Sequence, residues 1–536
     1  MRRIAYRFLA AISPGLDRVG TGVPARPSRA QLGSCVVSRI CTRYRLRVAA
    51  LKATTIAVIV VSTIAAPAAT RPHYGGTLRV MLQSAPGTLA LPANATPDDY
   101  WDMARTLSLI GDTLVKLSAQ DRPQPALAVA WQSDATARHW QFTLRRGVKF
   151  HDGSAASPAA IAQILETLHS NWNVRASSDS VSINSETPLP SLLAELALPR
   201  NLLLSRNADG LPVGTGSFLV AGWQPGKLLK LAANEDGWAG RPFVDAVEIE
   251  FGKSLRDQAI ALELDKTDVI EAAPQAASGS QRHGTSSSSS LPVELLALVF
   301  STNSKAQDPR LREALALAID RKPIQSVLLK GAGEPAASIL PNWMTGYSAV
   351  FPAQANPQRA RTVLADSRQP ALTLNYDPRD PQAQLIAERI ALNAREVGLT
   401  VQVSLSGAED IRLLRVVLPS PDPTMSLAEA ARQLGLPQPA FPAATRGNSL
   451  DLDDLYQAER GLLGGYAVIP LFHLPVASAA SARVRDWAPD RLGLWNETGL
   501  SLADLWLADL HIIEDRRPEI SRQDSRQPSR PEAALR

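Results

Sequence analysis

The segment that decides the fold is Trp140-Gln-Phe-Thr-Leu-Arg-Arg-Gly-Val-Lys-Phe-His-Asp-Gly153. Its beginning alternates between large apolar and polar side chains, which is the period-2 pattern of a half-buried strand. Gly147 and the pair Asp152-Gly153 follow as turn signals. The Ser-Pro pair at 157–158 then supplies an N-cap and a first-turn proline for a helix over Ala159–His169. The segment therefore predicts a strand, a turn, a short strand, a second turn and a helix.

Strands and helices also alternate in the second half of the chain. Ala371–Asn375 and Leu399–Leu405 alternate between apolar and polar residues, and Pro381–Val397 between them has apolar residues at helical spacing. This β-α-β order predicts an α/β lobe. A further amphipathic helix is predicted over Arg312–Leu329, interrupted at Pro323.

The basic character of the chain comes from its N-terminal end. The 536 residues carry a formal charge of +5, and residues 1–69 alone carry +10, from eleven Lys and Arg against a single acid. Residues 70–536 are therefore mildly acidic, at −5. Because nucleic-acid binding requires a basic face, we expect no nucleic-acid partner.

The same N-terminal end has the pattern of a secretory signal. Basic residues over Arg43–Lys52 precede the apolar run Ala53–Ala66, which is shorter than a membrane span of about 20 residues. Small residues follow, so we expect cleavage near Ala69 or Thr70 and a periplasmic location. The alternative is an anchor formed by uncleaved residues 53–66.

Catalytic and metal-binding patterns are missing from the mature sequence. Both cysteines, Cys35 and Cys41, precede the apolar run, so the mature chain has no disulfide, thiolate metal site or cysteine nucleophile. The seven histidines have no metal-ligand spacing, and there is no nucleophile elbow, HExxH pair or P-loop. We therefore expect no enzyme activity, no metal site and no cofactor, and a secreted hydrolase has no supporting motif.

Further blocks of sequence stand on both sides of the opening segment. They are Tyr74–Val80, Pro125–Trp131, Pro212–Phe218, Asn234–Asp245, Asp308–Lys322 and Pro470–His473. With the opening segment, these blocks resemble, in the same order, the bacterial extracellular solute-binding proteins of family 5, the peptide- and nickel-type receptors of ABC importers. One such block arises easily by chance, whereas an ordered series does not.

The resemblance implies an α/β, two-lobed periplasmic-binding-protein fold (type II-like), with an extra subdomain in lobe I. Lobe II is shortened, because the stretch between Val403 and Leu471 is shorter than is usual in the family. Composition adds a serine-rich linker and a disordered tail. The expected division is 1–69 for an N-terminal extension and signal peptide, 71–271 for lobe I with the subdomain at about 107–206, 273–290 for a linker or loop, 291–470 for lobe II, 471–513 for the return to lobe I and 514–536 for the tail.

The resemblance also implies a function. The chain would be the periplasmic substrate-binding protein of an ABC importer, binding a small peptide or another small solute by lobe closure and delivering it to an inner-membrane ABC permease. A monomer is implied. The shortened lobe II leaves open an alternative from another class, a degenerate solute-binding fold with a sensory or structural role and no transport. Stabilisation by a solute separates the two.

Candidate ligand-binding residues are aromatic or polar residues outside the regular elements. Aromatic side chains in a cleft can stack on an apolar ligand, and polar ones can bind an extended peptide. Ordinary packing or a surface position is the alternative for each. The candidates are Tyr100, Trp101, Asn303, Trp343, Asp422, Trp495 and Asn496.

Asp422 is a candidate because of the resemblance. Several family members supply an acid for the ligand's amine in a segment similar to Leu418–Leu427, but in an alignment on Pro423 that acid falls on Pro419. Asp422, three residues away, is the candidate substitute, and a turn at this Asp-Pro pair is the alternative. Recognition of a free peptide N-terminus is therefore not implied.

Overall fold

The computed structural model of the chain describes residues 74–91, 96–118, 120–272, 285–347, 349–351, 353–365, 369–405, 409–439, 441, 452–485, 489–495 and 501–502. The described residues all belong to one compact unit within Pro72–Arg536. Several predicted features lie outside the described residues: the secretory signal with its cleavage site, both cysteines, linker residues 273–284, Asn496 and the tail 514–536.

Strands occur along the whole described part of the chain. Their bounds are β1 Thr77–Met81, β2 Val115–Leu117, β3 Pro123–Pro125, β4 Ala128–Ser133, β5 His139–Leu144, β6 Asn173–Ala176, β7 Ser180–Asn184, β8 Ser205–Arg206, β9 Pro212–Val213, β10 Phe218–Gln224, β11 Leu228–Ala233, β12 Ala246–Glu250, β13 Val269–Ala272, β14 Ser286–Phe300, β15 Glu334–Pro335, β16 Leu372–Asn375, β17 Val401–Val403, β18 Ile411–Val417, β19 Val468–Ala480, β20 Val484–Arg485 and β21 Ser501–Leu502.

Helices alternate with these strands. The α-helices are α1 Pro97–Ile110, α2 Pro158–Leu168, α3 Leu192–Leu196, α4 Leu255–Glu263, α5 Pro309–Ala318, α6 Arg321–Pro323, α7 Asn342–Thr345, α8 Pro357–Leu364, α9 Pro381–Glu396, α10 Pro423–Gln433 and α11 Leu452–Leu462. Short 3₁₀ turns occur at Pro199–Asn201 and Gly464–Tyr466, and a π-helical turn at Ile324–Leu328. Among the described residues, no helix combines the length and the apolar character needed to cross a bilayer.

One sheet runs through both lobes. Its strand order is β10-β11-β12-β1-β13-β19-β14-β18-β16-β17, and β15 pairs with β19 outside this path. β19 pairs antiparallel with β13 on one side and with β14 on the other, and β14 pairs antiparallel with β18. We call β14 and β19 the crossing strands, because they join the lobe I end of the sheet, β10 to β13, to the lobe II end, β16 to β18.

One crossing strand, β14, extends into a segment that the sequence predicted to be a linker. The crossing strands pair from Ser286 opposite Ala480 to Val299 opposite Val468. The prediction that 273–290 is a linker or loop was wrong for the serine run 286–290, which belongs to β14. A main-chain ladder does not require an apolar pattern, and the small side chains on both strands permit it. The prediction used the composition of the run and therefore missed the strand.

The described part of lobe I contains two large, separate hydrophobic cores and a smaller cluster between α4 and β13. One lies against β1, β11 and β12 and includes Val80, Leu231 and Val247. The other belongs to a subdomain built from α2 and the four-stranded sheet β4-β5-β7-β6, with Phe142 and Leu165 fully buried. The subdomain therefore has a hydrophobic core of its own within lobe I.

The opening segment lies in this subdomain, and its first strand and its helix form as predicted, whereas the predicted short strand is only an isolated bridge between Lys149 and Ala155. In β5 the apolar residues Trp140, Phe142 and Leu144 are buried, and the polar residues between them are exposed or half-buried. α2 then begins where a helix was predicted, with Ser157 Oγ accepting a hydrogen bond from Ala160 N at 3.3 Å. The strand and the helix are therefore both confirmed.

In lobe II the sheet is covered on both faces. Leu296 and Leu298 of β14 pack into a core beneath α5, α8 and α9, whereas Leu295 and Ala297 pack into another beneath α10 and α11. Because alternate residues of a strand point to opposite faces, a strand buried on both sides has an unbroken apolar run. Lobe II is therefore a sheet between two helical layers.

The helix predictions for lobe II had mixed outcomes. The helix predicted over Pro381–Val397 is confirmed as α9. The helix predicted over Arg312–Leu329 was wrong in the place of its interruption, because the chain forms α5, which ends before Pro323 at Ala318, then α6, then a π-helical turn. Asp320 starts a new helical segment by accepting a hydrogen bond from Lys322 N at 3.2 Å, and Pro323 has no N–H to continue an earlier one.

Candidate functional site

A cavity of about 700 Å³ lies between lobe I and lobe II. Lobe I contributes Tyr100 from α1, the turn after α2, the segment 188–192 and Arg200. Lobe II contributes Val417 and Pro419 near the end of β18, and side chains of α10. Small-molecule sites usually enclose about 300–1,000 Å³, so the size suits a small solute. We take this cavity as the candidate site.

Asp422 fixes the start of α10 and contacts the opposite lobe. Its Oδ1 atom accepts hydrogen bonds from Thr424 N at 2.9 Å and Met425 N at 3.2 Å. These bonds satisfy N–H groups that have no partner within the helix. The Oδ2 atom accepts a hydrogen bond from the Ser191 hydroxyl of lobe I at 2.7 Å. The Asp-Pro pair is thus a helix cap that also joins the two lobes.

Two ion pairs form one wall of the cavity. Arg200 Nε donates to Glu195 Oε1 at 2.7 Å in lobe I, and Arg432 Nη2 donates to Glu429 Oε1 at 2.6 Å in lobe II. Arg200 Nη1 also lies 3.9 Å from Glu429 Oε2, so the wall connects the lobes. Although burial opposes the effect, the hydrogen bond and charge of Arg200 lower the pKa of Glu195. The carboxyl group of Glu195 is therefore ionised at neutral pH.

Aromatic side chains from lobe I line the same cavity. His169 and Trp172 stack with ring centroids 3.6 Å apart and an interplanar angle of 13°. His169 Nε2 also makes a hydrogen bond to Asn201 Oδ1 at 2.5 Å, which holds the ring in place. Burial raises the pKa of Tyr100 above its ordinary value, so the phenol keeps its proton.

The crossing strands change register where the lobes meet. Pro292 of β14 lies opposite Pro475 of β19, and the ladder is irregular on both sides of Pro292. Proline has no N–H, so neither residue can donate a hydrogen bond to the ladder. The two strands therefore share fewer main-chain hydrogen bonds at this point than a regular ladder would have.

A charged cluster joins the lobes beside the crossing strands. Arg415 of β18 donates from Nη2 to Glu294 Oε2 at 2.6 Å, and the same nitrogen lies 3.3 Å from Asp98 Oδ1 of α1. Although burial opposes the effect, these carboxylates raise the pKa of Arg415, while burial raises the pKa of Glu294. A smaller cavity of about 380 Å³ adjoins Asp98 and Arg415.

The structure brings three of the predicted site residues together. Tyr100, Trp101 and Trp343 pack around Val293 and Val417, close to where the crossing strands pass between the lobes. Of these three, Tyr100 lines the cavity, whereas Trp101 is only 2% exposed. Trp343 donates its Nε1–H to the carbonyl oxygen of Pro292 at 2.8 Å.

The remaining predicted residues lie elsewhere. Asn303 is exposed in a turn after β14, and Trp495 is buried in the core of lobe I. Asp422 has the capping role described above, and Asn496 lies outside the described residues. None of the described residues forms a group of three or more His, Cys, Asp or Glu that could hold a metal ion.

Sequence reasoning missed most of the residues that line the cavity. Glu429 and Arg432 are three positions apart on a helix, which is the ordinary spacing of a surface ion pair. Arg200 and Glu195 lie in short elements with no recognisable pattern. Trp172 follows α2 within a few residues, and an aromatic residue after a helix more often packs than binds. No local signal distinguished these residues from surface or core positions.

A family match covers the middle of the chain. The sequence profile of the bacterial extracellular solute-binding proteins, family 5 Middle, matches residues 122–427, which is more than half of the 536 residues. The matched range runs from the subdomain of lobe I to the first turns of α10 in lobe II. It therefore includes residues on both sides of the cavity.

Curated relatives are similar at low identity. The chain is 25% identical over 350 residues to the nickel-binding periplasmic protein of Escherichia coli, which covers 56% of this chain and 66% of that protein. It is 23% identical over 350 residues to di/tripeptide-binding protein 2 of Pseudomonas aeruginosa, which covers 53% of this chain and 64% of that protein. The matches thus span just under two thirds of the length of these relatives.

A solved structure shows the same fold. The dipeptide-binding protein of Pseudoalteromonas sp. SM9913, in complex with Met-Leu, superposes with a TM-score of 0.68 at 18% identity, covering 80% of this chain and 100% of that chain. The predicted α/β, two-lobed periplasmic-binding-protein architecture is therefore confirmed. Together with the profile match, it leads to one conclusion: the chain belongs to the bacterial extracellular solute-binding proteins of family 5.

Proposed function

We propose that this protein is the substrate-binding component of an ABC importer. It binds a peptide or a related small solute in the cavity between its lobes and delivers the solute to an inner-membrane permease. The observation that carries the proposal is the cavity of about 700 Å³ bounded by both lobes, next to the strands that cross between them. Relatives named for nickel or for di- and tripeptides support a small solute as the ligand.

Three contacts between the lobes would form as the protein closes on its solute. The Ser191 hydroxyl donates to Asp422, and Arg200 approaches Glu429, on either side of the cavity. The third contact, between Asp98 and Arg415, lies beside the crossing strands. Because each contact is individually modest, closure can reverse when the solute is released.

The division into lobes and the location are part of the proposal. Lobe I would comprise residues 71–271 and, after the return of the chain, 471–513, and lobe II would comprise residues 291–470. The protein would reach the periplasm through its N-terminal signal and act as a monomer. N-terminal sequencing of the protein from a periplasmic extract checks the location, with a mature start near Ala69 or Thr70 expected.

Thermal unfolding with a panel of solutes tests the function. A solute at one hundred times its dissociation constant adds about 2.7 kcal/mol to the free energy of unfolding. We expect at least one member of a panel of peptides, amino-acid derivatives, sugars and metal chelates to raise the melting temperature. Leu189→Trp, which places a ring in the cavity wall, should abolish the shift. Leu264→Trp, at an exposed position elsewhere, should not.

A protein that no solute stabilises, and from which no solute is released on denaturation, would contradict the proposal. That outcome would favour a sensory or structural role for the same fold.

A further inference from the structure

The charged groups of the cavity wall are already paired with one another. Glu195 accepts hydrogen bonds from Arg200, and Glu429 accepts hydrogen bonds from Arg432 and, at 2.8 Å, from Gln433 Nε2. The two carboxylates and the two guanidinium groups cancel in formal charge. The part of the lining that the structure describes therefore offers no spare carboxylate for the ammonium group of a ligand.

Asp422 is occupied as well. Its Oδ1 atom accepts from Thr424 N, from Thr424 Oγ1 at 2.6 Å and from Met425 N, and its Oδ2 atom accepts from the Ser191 hydroxyl. These bonds take up most of the acceptor capacity of a carboxylate. An ammonium group could bind Asp422 only by displacing Ser191, and it would then open a contact between the lobes.

The rest of the wall suits an uncharged ligand. Apolar side chains from both lobes line it, among them Trp172, Leu189, Pro419 and Met425. The hydroxyl of Tyr100, kept protonated by burial, has no hydrogen-bond partner among the described residues. It can therefore donate to or accept from a neutral polar group, such as an amide, without a change of charge.

We propose that the cavity selects a solute without ionised ends, which carries a bulky apolar group and a neutral amide that hydrogen-bonds Tyr100. This inference rests on the proposed function and specifies its substrate class. Placing a free ammonium in this cavity removes it from water without a counter-charge, which is costly. A solute whose ends are capped brings only groups that the wall satisfies.

Calorimetric titration of the full chain tests the inference with two probes, Leu-Phe and its N-acetylated amide. Because an unpaired buried charge costs more than 1.4 kcal/mol, we expect the capped probe to bind at least about tenfold more tightly. Equal or tighter binding of the free dipeptide overturns the inference and leaves the proposed function standing. Binding of neither probe also overturns it, and the solute panel then decides the proposed function separately.

A charge introduced into the wall provides a second test. Pro419→Asp adds a carboxylate that has no partner, so the preference should move towards the free dipeptide by at least about tenfold. Pro419→Asn, of the same size but uncharged, should leave the preference for the capped probe. Circular dichroism shows whether both variants fold. An unchanged preference in folded Pro419→Asp contradicts the inference.

The Tyr100 hydroxyl has its own test. Tyr100→Phe removes one neutral hydrogen bond, so the capped probe should bind about three- to tenfold more weakly. Tyr376→Phe, in the core of lobe II, is the matched control and should bind as the wild type does. Unchanged binding by Tyr100→Phe excludes this residue as the polar contact and overturns that part of the inference.

Discussion

Pro292 and Pro475 lie opposite each other in the two strands that join the lobes. Neither can donate to the ladder, and the register is irregular on both sides of Pro292. Trp343 donates to the carbonyl oxygen of Pro292, which ties α7 of lobe II to the same point. We infer that closure bends the sheet here, where the two prolines remove main-chain donors from the ladder.

The proline pair provides the first prediction. Replacing both residues by alanine gives each strand an N–H that can complete the ladder, and each such hydrogen bond contributes about 0.5–1.5 kcal/mol. The double variant should therefore unfold at a higher denaturant concentration but close less on solute binding. Small-angle X-ray scattering measures closure as the decrease in radius of gyration on adding solute.

Pro470→Ala is the control for this experiment. Pro470 lies in β19, the same strand as Pro475, but in the part of that strand that belongs to lobe II. It should close like the wild type. A double variant that closes fully would place the hinge elsewhere.

The hydrogen bond from Ser191 to Asp422 provides the second prediction. Ser191→Ala removes the bond between the lobes but keeps the helix cap, so solute affinity should fall by about two- to tenfold while the free energy of unfolding hardly changes. Asp422→Ala should lower affinity and also cost about 1 kcal/mol of stability, because α10 loses its cap. Titration calorimetry and urea unfolding measure the two effects.

Asp308→Ala supplies the comparison for Asp422→Ala. Asp308 caps α5 without contacting the other lobe, so its loss should cost similar stability and leave affinity unchanged. Equal affinities for Ser191→Ala and the wild type would show that the contact plays no part in closure.

Arg415 provides the third prediction. Arg415→Met leaves the fully buried carboxylate of Glu294 without its partner, and breaking a buried pair in this way costs about 3–5 kcal/mol. Replacing Glu294 by Gln in the Arg415→Met variant should recover most of the lost free energy of unfolding. Lys230→Met removes an exposed pair with Glu248 within lobe I and should cost less than about 1 kcal/mol. Urea unfolding of the four proteins measures these differences, and a mild effect of Arg415→Met alone would contradict the account.

His473 provides a prediction about pH. It is 3% exposed, and burial lowers its pKa to about 4, while its Nε2–H donates to Ile339 O at 3.0 Å. An unfolded histidine has a pKa of about 6.5, so between these values only the unfolded chain binds the proton. The free energy of unfolding should therefore fall as the pH falls from about 6.5 to about 4, by on the order of 3 kcal/mol.

His473→Gln keeps a donor for Ile339 but cannot titrate, so it should lose this contribution to the pH dependence. Burial raises the pKa of Asp102 and of Glu271, and these carboxyl groups give a dependence of opposite sign. The informative quantity is therefore the difference between variant and wild type at each pH. Parallel curves for the two proteins would show that His473 is protonated in the fold as readily as in water.

The sequence predicted those elements of the fold whose residues alternate between buried and exposed positions in a regular local pattern. β5 is half-buried, so its alternation was visible, and α9 has one buried face. The serine run in β14 left no such trace, because its place in the sheet depends on main-chain bonds to β19. The break between α5 and α6 depends on a cap at Asp320 within a sequence that remains amphipathic.

The cavity was less predictable because distant segments build it. Ser191 and Asp422 are 231 positions apart in the sequence, yet their side chains form a hydrogen bond. The one predicted aromatic residue that lines the cavity, Tyr100, precedes another predicted residue that packs inside the protein, Trp101, and no local pattern separates them. Only the fold of both lobes shows which side chains face the cavity.

Native mass spectrometry of the full-length protein, purified without refolding, tests the central claim most directly. The account predicts a protein whose mass exceeds that of the chain by the mass of one solute. That solute is released on denaturation, and its mass is too small for a protein partner. An uncharged or end-capped solute would also support the proposed substrate class. A bare chain that no member of the solute panel stabilises would contradict the claim that this protein is a solute receptor.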